Sequence, residues 1–309
     1  MHHQKIQSAN WGLKFLRRYY LRTLLVGLAL IVAGSNTAFK EVPAYQVFTQ
    51  KGKTTDFEKL CEAAADADVI CFGELHNNSI GHWMQLRLLK YLAAKKANKV
   101  VVGAEMWEAD DQIVLTEFAQ GKITEKHLET EAKLWPNYAL DYKPFFKFAW
   151  DNKIPVIATN IPRRYASMVM KKGMDSIAAL PAEAKAWIAP LPITFDLTLP
   201  GYKALTEGMG GHGGPMSENF AKSQAVKDAT MAHFILKNYK QGVPFLHLNG
   251  SYHSNNFEGI VHYLLKANNK LKVLTINMVE QDTIELLTPE NLNTATFIIA
   301  IPSDMHHSY

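Results

Sequence analysis

The sequence predicts an α/β protein with a mostly parallel central sheet flanked by helices and a small helical lobe. Short apolar runs typical of buried strands alternate with helical patterns through much of the 309-residue chain. This order is typical of a parallel sheet covered by helices. Four of the runs are followed directly by a cluster of polar residues. Because the carboxyl ends of parallel strands line one crevice, these clusters are expected to meet there.

Residues 1–38 have the pattern of a secretory signal peptide. Basic residues precede an apolar run at 24–33, and the small residues Gly34 and Ser35 follow it. The run is shorter than the roughly 20 residues that span a membrane, and an uncleaved N-terminal anchor is the alternative. We therefore predict export to the periplasm or cell envelope. No cysteine stands near the expected cleavage point, so a lipid anchor is not predicted.

Residues 39–56 are predicted to be a linker, and residues 57–280 to be the main domain with a helical insert at about 107–150. Asn78 or Ser79 is placed to cap the long amphipathic helix that follows the first strand. As far as the third strand, the predicted elements are a helix at 56–65, a strand at 69–72, a helix at 80–96, a strand at 100–104, helices at 108–134 and 143–151, and a strand at 156–158.

The regular alternation stops between residues 181 and 215, where prolines and glycines predict short elements and loops. The last apolar run, 296–301, is predicted to be an edge strand within a C-terminal extension at 281–309. The elements predicted between these segments are a helix at 217–240, a strand at 245–248, a helix at 257–267 and a strand at 273–277.

Composition and charge exclude several classes of protein. Hydrophobic residues make up 48% of the chain and charged residues 20%, which is ordinary for a globular protein. The net charge of +4 is weak and no Lys/Arg-rich tract interleaved with aromatics occurs, so nucleic acid is not an expected partner. Cys61 and Cys71 are the two cysteines, so a disulfide scaffold is excluded and packing is their expected role.

Glu74 and His76 follow the first predicted strand and lie two residues apart. In an extended strand exit their side chains point to the same side. A carboxylate and an imidazole so placed can ligate a metal, or one can orient the other for proton transfer. The structural alternative is that Glu74 accepts hydrogen bonds from nearby backbone N–H groups and that His76 caps a helix.

Glu105 ends the second predicted strand and adds a second carboxylate to the same edge of the sheet. Like charges brought close raise a carboxyl pKa, which suits acid–base chemistry or requires a cation between them. The alternative is a salt bridge from Glu105 to Arg163 or Arg164.

Two histidines stand beside glycines, which allow the backbone to approach a bulky ligand closely. His212 lies within the glycine-rich segment 208–214, and this segment lacks the Lys and Ser/Thr of a phosphate-binding P-loop. His253 follows Gly250 at the exit of a later strand. Both are candidate ligand-binding residues.

The motifs to be considered together are Gly73-Glu74-Leu75-His76-Asn77, Glu105-Met106-Trp107, the segment 135–142, Asn160-Ile161-Pro162-Arg163, Gln224 with Asp228, and Gly250-Ser251-Tyr252-His253. Together they resemble the ChaN-like haem-binding family, which belongs to the wider Tiki and erythromycin-esterase-like superfamily. The resemblance runs from about residue 57 to 274 in order. It implies an α/β core with a helical lobe, export, and a role in haem or iron acquisition that involves an outer-membrane receptor. The oligomeric state, including a homodimer, stays open.

A haem site needs an axial ligand for iron, an apolar slot and cations for the propionates. Tyr165 follows Arg163 and Arg164 after the third strand, so one segment offers a phenolate ligand and two propionate partners. His212 is the further candidate for contact with the cofactor. The alternative for Tyr165 is packing on the sheet. No Cys-x-x-Cys-His motif occurs, so covalent attachment of haem is excluded.

The competing hypothesis is a metal-dependent hydrolase. Glu74, His76 and His253 would then hold a divalent metal ion, and Glu74 and Glu105 would be the catalytic carboxylates. The spacing Gly250-x-x-His253 also fits metal-dependent relatives in the superfamily. A third hypothesis is a structural envelope protein whose polar clusters form a buried network. Both functional hypotheses require Glu74, His76, Glu105 and His253 to line one cavity.

Overall fold

Eight strands form one sheet in the computed structural model, which describes residues 43–208 and 215–309. In chain order they are β1 (Gln46–Thr49), β2 (Thr54–Thr55), β3 (Val69–Glu74), β4 (Val101–Glu108), β5 (Val156–Asn160), β6 (Phe245–Gly250), β7 (Val273–Gln281) and β8 (Phe297–Pro302). Across the sheet the order is β2-β1-β8-β7-β3-β6-β4-β5. The strands from β8 to β5 pair in parallel, and β1 pairs antiparallel with both β2 and β8.

Helices cover the sheet as the alternating pattern predicts. In chain order they are α1 (Phe57–Ala65), α2 (Ser79–Lys95), α3 (Gln112–Ala119), α4 (Glu125–Glu131), α5 (Lys143–Asp151), α6 (Arg163–Lys172), α7 (Asp175–Ala178), α8 (Ala182–Lys185), α9 (Pro200–Gly208), α10 (Pro215–Asn238) and α11 (Ile260–Ala267). Short 3-10 turns and one π-helical segment, Tyr138–Tyr142, lie between them. The α/β fold with a mostly parallel sheet is therefore confirmed.

Local sequence signals account for the helix starts. The side chain of Asp56 accepts a hydrogen bond from the Lys59 N–H at the start of α1. The side chain of Asn78 accepts a hydrogen bond from the Gly81 N–H at the start of α2, so Asn78 is the cap of that helix. In α2 the large apolar side chain of Trp83 is 47% exposed. The buried face instead carries the polar His82 and Gln85 toward the end of β3.

The helical insert begins later and is more broken than predicted, since β4 continues to Glu108 and a turn separates it from α3. Helix α5 occupies the predicted residues 143–151. Tyr142, Phe145 and Phe146 from the insert are buried in the same core cluster as strands β3, β4 and β6. The insert therefore packs directly on the sheet, which brings its side chains within reach of the strand ends.

Two segments predicted to flank the domain complete the sheet instead. The predicted linker at 39–56 contains β1 and β2. The predicted edge strand at 296–301 is wrong in its position, because β8 lies between β7 and β1. Its residues Ile298 and Ile299 are fully buried, which only an internal strand with both faces covered explains.

Residues Ala44–Tyr309 form one compact unit. The expected signal peptide lies outside the described residues. Among the helices that are described, none is long and apolar enough to span a bilayer. Cys61 and Cys71 are both buried free thiols, in agreement with the expected packing role.

Candidate functional site

A cavity of about 900 Å³ opens at the carboxyl ends of the central strands. Glu74, His76, Glu105 and His253 all line it. The prediction that these four side chains surround one cavity is therefore confirmed. The parallel register brings them together, because β3 and β6 pair with Glu74 opposite Gly250 and β4 runs beside β6.

The Glu74 carboxylate is held by three side chains. Its Oε1 accepts hydrogen bonds from His76 Nδ1 at 2.9 Å and from the Tyr142 hydroxyl at 2.6 Å. Its Oε2 accepts one from Gln85 Nε2 at 2.5 Å. Burial alone would raise the pKa of Glu74, but the hydrogen bond from His76 and the positive charge of His82 outweigh it, so the pKa lies below its usual value. Glu74 is a fixed anion.

His76 is the more accessible member of this pair, with 36% of its side chain exposed. Burial lowers its pKa, but the hydrogen bond and charge of Glu74 outweigh burial, so the pKa of His76 is raised. Its Nε2 lies so close to Gly250 that a Cβ there would be 2.7 Å away. Glycine at this position leaves room for the ring. In the neutral ring with Nδ1 donating to Glu74, Nε2 has a lone pair at the cavity wall.

Glu105 and His253 form a second, almost fully buried pair that continues to helix α10. His253 Nε2 lies 3.3 Å from Glu105 Oε1, and its Nδ1 lies 2.6 Å from Asp228 Oδ1. Burial lowers the pKa of His253, but the charges of Glu105 and Asp228 raise it to about 10. The charge of His253 in turn holds the pKa of Glu105 well below its usual range, against the effect of burial. His253 is thus an imidazolium.

This arrangement bears on the predicted metal ligands. Both ring nitrogens of His253 face carboxylate oxygens of Glu105 and Asp228. Within the described ranges, no group of three or more His, Cys, Asp or Glu side chains is placed to hold one. The predicted metal set of Glu74, His76 and His253 is accordingly split into two separate ion pairs.

Two basic side chains of the cavity wall form no salt bridge within the described residues. Each carboxylate that lines it lies beside a basic side chain: Glu74 with His76, Glu105 with His253, Glu108 with Lys133, and Glu280 with His307. Arg163 and Lys227 also line it, and neither forms a salt bridge within the part of the chain that the structure describes. These two side chains are therefore available to a ligand, and Lys227 also lies close enough to Glu105 to lower the pKa of that carboxyl.

The sequence of residues 60–264 matches the model of a family described as haem-binding uptake proteins of the Tiki superfamily, ChaN. The match spans well over half of the chain. This protein belongs to the ChaN family. No curated protein sequence matches it.

Solved structures extend the comparison to the fold. ChaN of Campylobacter jejuni, whose structure describes cofacial haem binding, is 17% identical with a TM-score of 0.63, over 84% of this chain and 97% of that one. A Bacillus cereus protein is 11% identical with a TM-score of 0.46, over 82% and 94% of the two chains. An erythromycin esterase in an open conformation is 11% identical with a TM-score of 0.44, over 84% and 83%. This protein therefore shares its fold with ChaN of Campylobacter jejuni.

The structure separates the predicted haem contacts of this ChaN family member. Arg163 lines the main cavity and also a neighbouring cavity of about 490 Å³ that Arg164 lines. Arg164 pairs with Asp110 at 2.6 Å, so the alternative salt bridge from Arg164 to Glu105 is not formed. His212 lies outside the described residues.

Tyr165 does not line either of these two cavities. It is buried in an apolar cluster with Ile161, Val169 and Ile188, and its hydroxyl accepts a hydrogen bond from Arg164 at 3.3 Å. This placement agrees with the packing alternative. Tyr165 as an axial ligand stays a prediction, and it requires the side chain to leave that cluster.

Several residues that organise the ChaN cavity carried no site assignment from the sequence. Tyr142 and Gln85 hold Glu74, and Asp228 holds His253 while it accepts a hydrogen bond from the Tyr202 hydroxyl at 2.6 Å. Asp228 and Gln85 are buried polar residues on helix faces that are mainly apolar. A buried polar residue on such a face is the signal that could have found them.

Proposed function

We propose that this protein binds haem non-covalently in the cavity at the strand ends. The observation that carries the proposal is that two basic side chains of the cavity wall, Arg163 and Lys227, form no salt bridge among the described residues. Haem is a flat apolar ring with two propionates, so two cations beside an apolar wall match its charge and shape. Membership of a haem-binding family supports the same ligand.

The size and the wall of the cavity support haem as well. A volume of about 900 Å³ lies within the range of about 300–1,000 Å³ found for ligand pockets. Much of the wall is apolar or aromatic: Leu75, Trp135, Ile161, Met170, Leu205, Phe220 and Tyr252. Such a surface excludes water from the ring, and its burial supplies most of the binding free energy.

His76 is the axial ligand that the geometry favours. It is accessible from the cavity, and no described residue forms a hydrogen bond with its Nε2. The hydrogen bond from its Nδ1 to Glu74 fixes the tautomer and makes Nε2 a stronger donor to iron. Bound haem would supply an iron centre, while Glu74 and Tyr142 hold the imidazole ring in place.

We further propose that the protein handles haem after export to the periplasm or cell envelope, as part of haem or iron acquisition. The basic and apolar pattern of residues 1–38 supports export. Haem would be received from an outer-membrane receptor. A homodimer is compatible with this role, because an accessible cavity can be covered by a second copy.

The test is titration of the purified protein with haemin, followed by absorption in the Soret region. Wild-type protein is expected to bind, and His76→Ala is expected to change the ferric spectrum and weaken binding. His127→Ala, which alters a histidine on helix α4, is the control. Arg163→Ala and Lys227→Ala should each weaken binding without altering the spectrum.

Two outcomes would change the proposal. A spectrum altered by Tyr165→Phe but not by His76→Ala would restore Tyr165 as the axial ligand. A wild-type protein that fails to bind haemin would contradict haem binding itself. Metal analysis of the same preparation then tests the hydrolase hypothesis, because a metal lost on Glu74→Gln would support it.

A further inference from the structure

The last residues of the sequence lie along the mouth of the cavity rather than away from it. Tyr309 lines the cavity although 62% of the residue is exposed, and Met305 packs against the main core. Between them, His307 Nε2 lies 2.9 Å from Glu280 Oε1, and Glu280 also lines the cavity. Residues 305–309 are therefore attached at several points and pass over the site.

The same segment is bonded to the loop that carries His76. The Ser308 N–H donates to the Asn77 carbonyl oxygen at 2.8 Å, one residue beyond His76. The Ser308 hydroxyl donates to Asp141 Oδ2 at 2.5 Å. These two bonds join the segment to both the exit of β3 and the helical insert.

A chain of hydrogen bonds leads from Ser308 to the backbone of His76. Asn137 Nδ2 donates to Asp141 Oδ2 at 2.7 Å and to the His76 carbonyl oxygen at 2.8 Å. His82 Nε2 lies 3.0 Å from that same carbonyl oxygen. Because Asp141 is buried, water cannot fully replace the hydrogen bond that its carboxylate loses when the Ser308 hydroxyl is removed. The loop position of His76 thus depends on the 305–309 segment.

We propose that residues 305–309 form a strap that completes the ligand site. Ser308 is a positioning residue that steadies the loop of His76, and the ring of Tyr309 covers the bound ligand at the mouth. The covering role rests on the proposed haem function, whereas the steadying of the loop does not. The strap therefore slows ligand release rather than supplying an iron ligand.

Two measurements on Ser308→Ala test the strap. In the ligand-free protein, native hydrogen exchange of a peptide spanning residues 74–80 should be faster than in the wild type. Haemin release to apomyoglobin should be about 5- to 30-fold faster, which corresponds to a loss of about 1–2 kcal/mol. The control is Ser303→Ala, because the Ser303 hydroxyl bonds the exposed Asp282. The Ser303→Ala variant should change neither the rate of hydrogen exchange nor the rate of haemin release.

Tyr309 is tested by a pair of substitutions. Tyr309→Ala should speed haemin release, and Tyr309→Phe should release haemin as slowly as the wild type. Equal acceleration in both variants would overturn the covering role of the ring. Unchanged exchange and unchanged release in Ser308→Ala would overturn the strap while haem binding stands. If wild-type protein binds no haemin, the proposed function fails, and the exchange measurement alone decides the steadying role.

Discussion

His253 Nδ1 lies 2.6 Å from Asp228 Oδ1, and both side chains are almost completely shielded from water. The second ring nitrogen of His253 lies 3.3 Å from Glu105 Oε1. One imidazolium therefore stands between two carboxylates that come from a helix and from a central strand. This arrangement joins α10 to the sheet directly beneath the cavity.

The first prediction concerns the stability that this arrangement contributes. Asp228→Asn removes one of the two negative partners of a buried cation, and breaking such a pair costs about 3–5 kcal/mol of unfolding free energy. Urea denaturation followed by circular dichroism measures this loss of unfolding free energy. The matched control is Asp151→Asn, which removes an exposed partner of Lys147 and should cost less than about 1 kcal/mol. Equal losses in both variants would contradict a buried charged pair.

The second prediction is a dependence of stability on pH. The pKa of His253 rises from 6.5 to about 10 on folding, so its contribution is complete below about pH 6.5 and is lost as the pH rises through 10. Unfolding free energy should therefore fall between about pH 7 and 8.5, by up to about 1.4 kcal/mol per pH unit for one proton. His253→Gln should flatten this slope, and His127→Gln should keep it. A flat wild-type profile would show that His253 is not held as a cation.

The third prediction compares two buried tyrosines of the helical insert. The Tyr142 hydroxyl donates to the buried carboxylate of Glu74, and Tyr142→Phe should cost about 1.5–3 kcal/mol of unfolding free energy. The Tyr138 hydroxyl has no hydrogen-bond partner among the described residues, so Tyr138→Phe should change stability little. Thermal or urea denaturation of the two variants measures these changes in stability. The interpretation fails if Tyr138→Phe is the more damaging change.

The fourth prediction uses the glycine beside the proposed axial ligand. The backbone of Gly250, with φ of −58° and ψ of 143°, can accept alanine without strain. The new Cβ would lie 2.7 Å from His76 Nε2, so Gly250→Ala must displace the ring and should weaken haemin binding roughly tenfold. In a His76→Ala background the same change should have no further effect. Additive losses would mean that Gly250 acts independently of His76.

The convergence of Glu74, His76, Glu105 and His253 could be predicted from the sequence. Each follows or ends an apolar run with strand character, and parallel strands place such ends at one edge of the sheet. The cap of α2 at Asn78 and the bounds of α5 could also be predicted, because both depend on neighbouring residues. Periodicity and strand-end chemistry are properties of neighbouring residues, so they can be read from the chain alone.

The partners within the site were decided by the tertiary structure. The rotation of α2 that buries Gln85 and exposes Trp83, the approach of Tyr142 from the insert, and the position of Asp228 beneath His253 all join residues that are distant in the sequence. The internal position of β8 has the same origin, because β1 pairs with it from the other end of the domain. Sequence alone determined that the strand-end residues Glu74, His76, Glu105 and His253 reach the cavity. Packing between distant elements determined which of them form ion pairs, because strand order and helix rotation depend on contacts that no local pattern encodes.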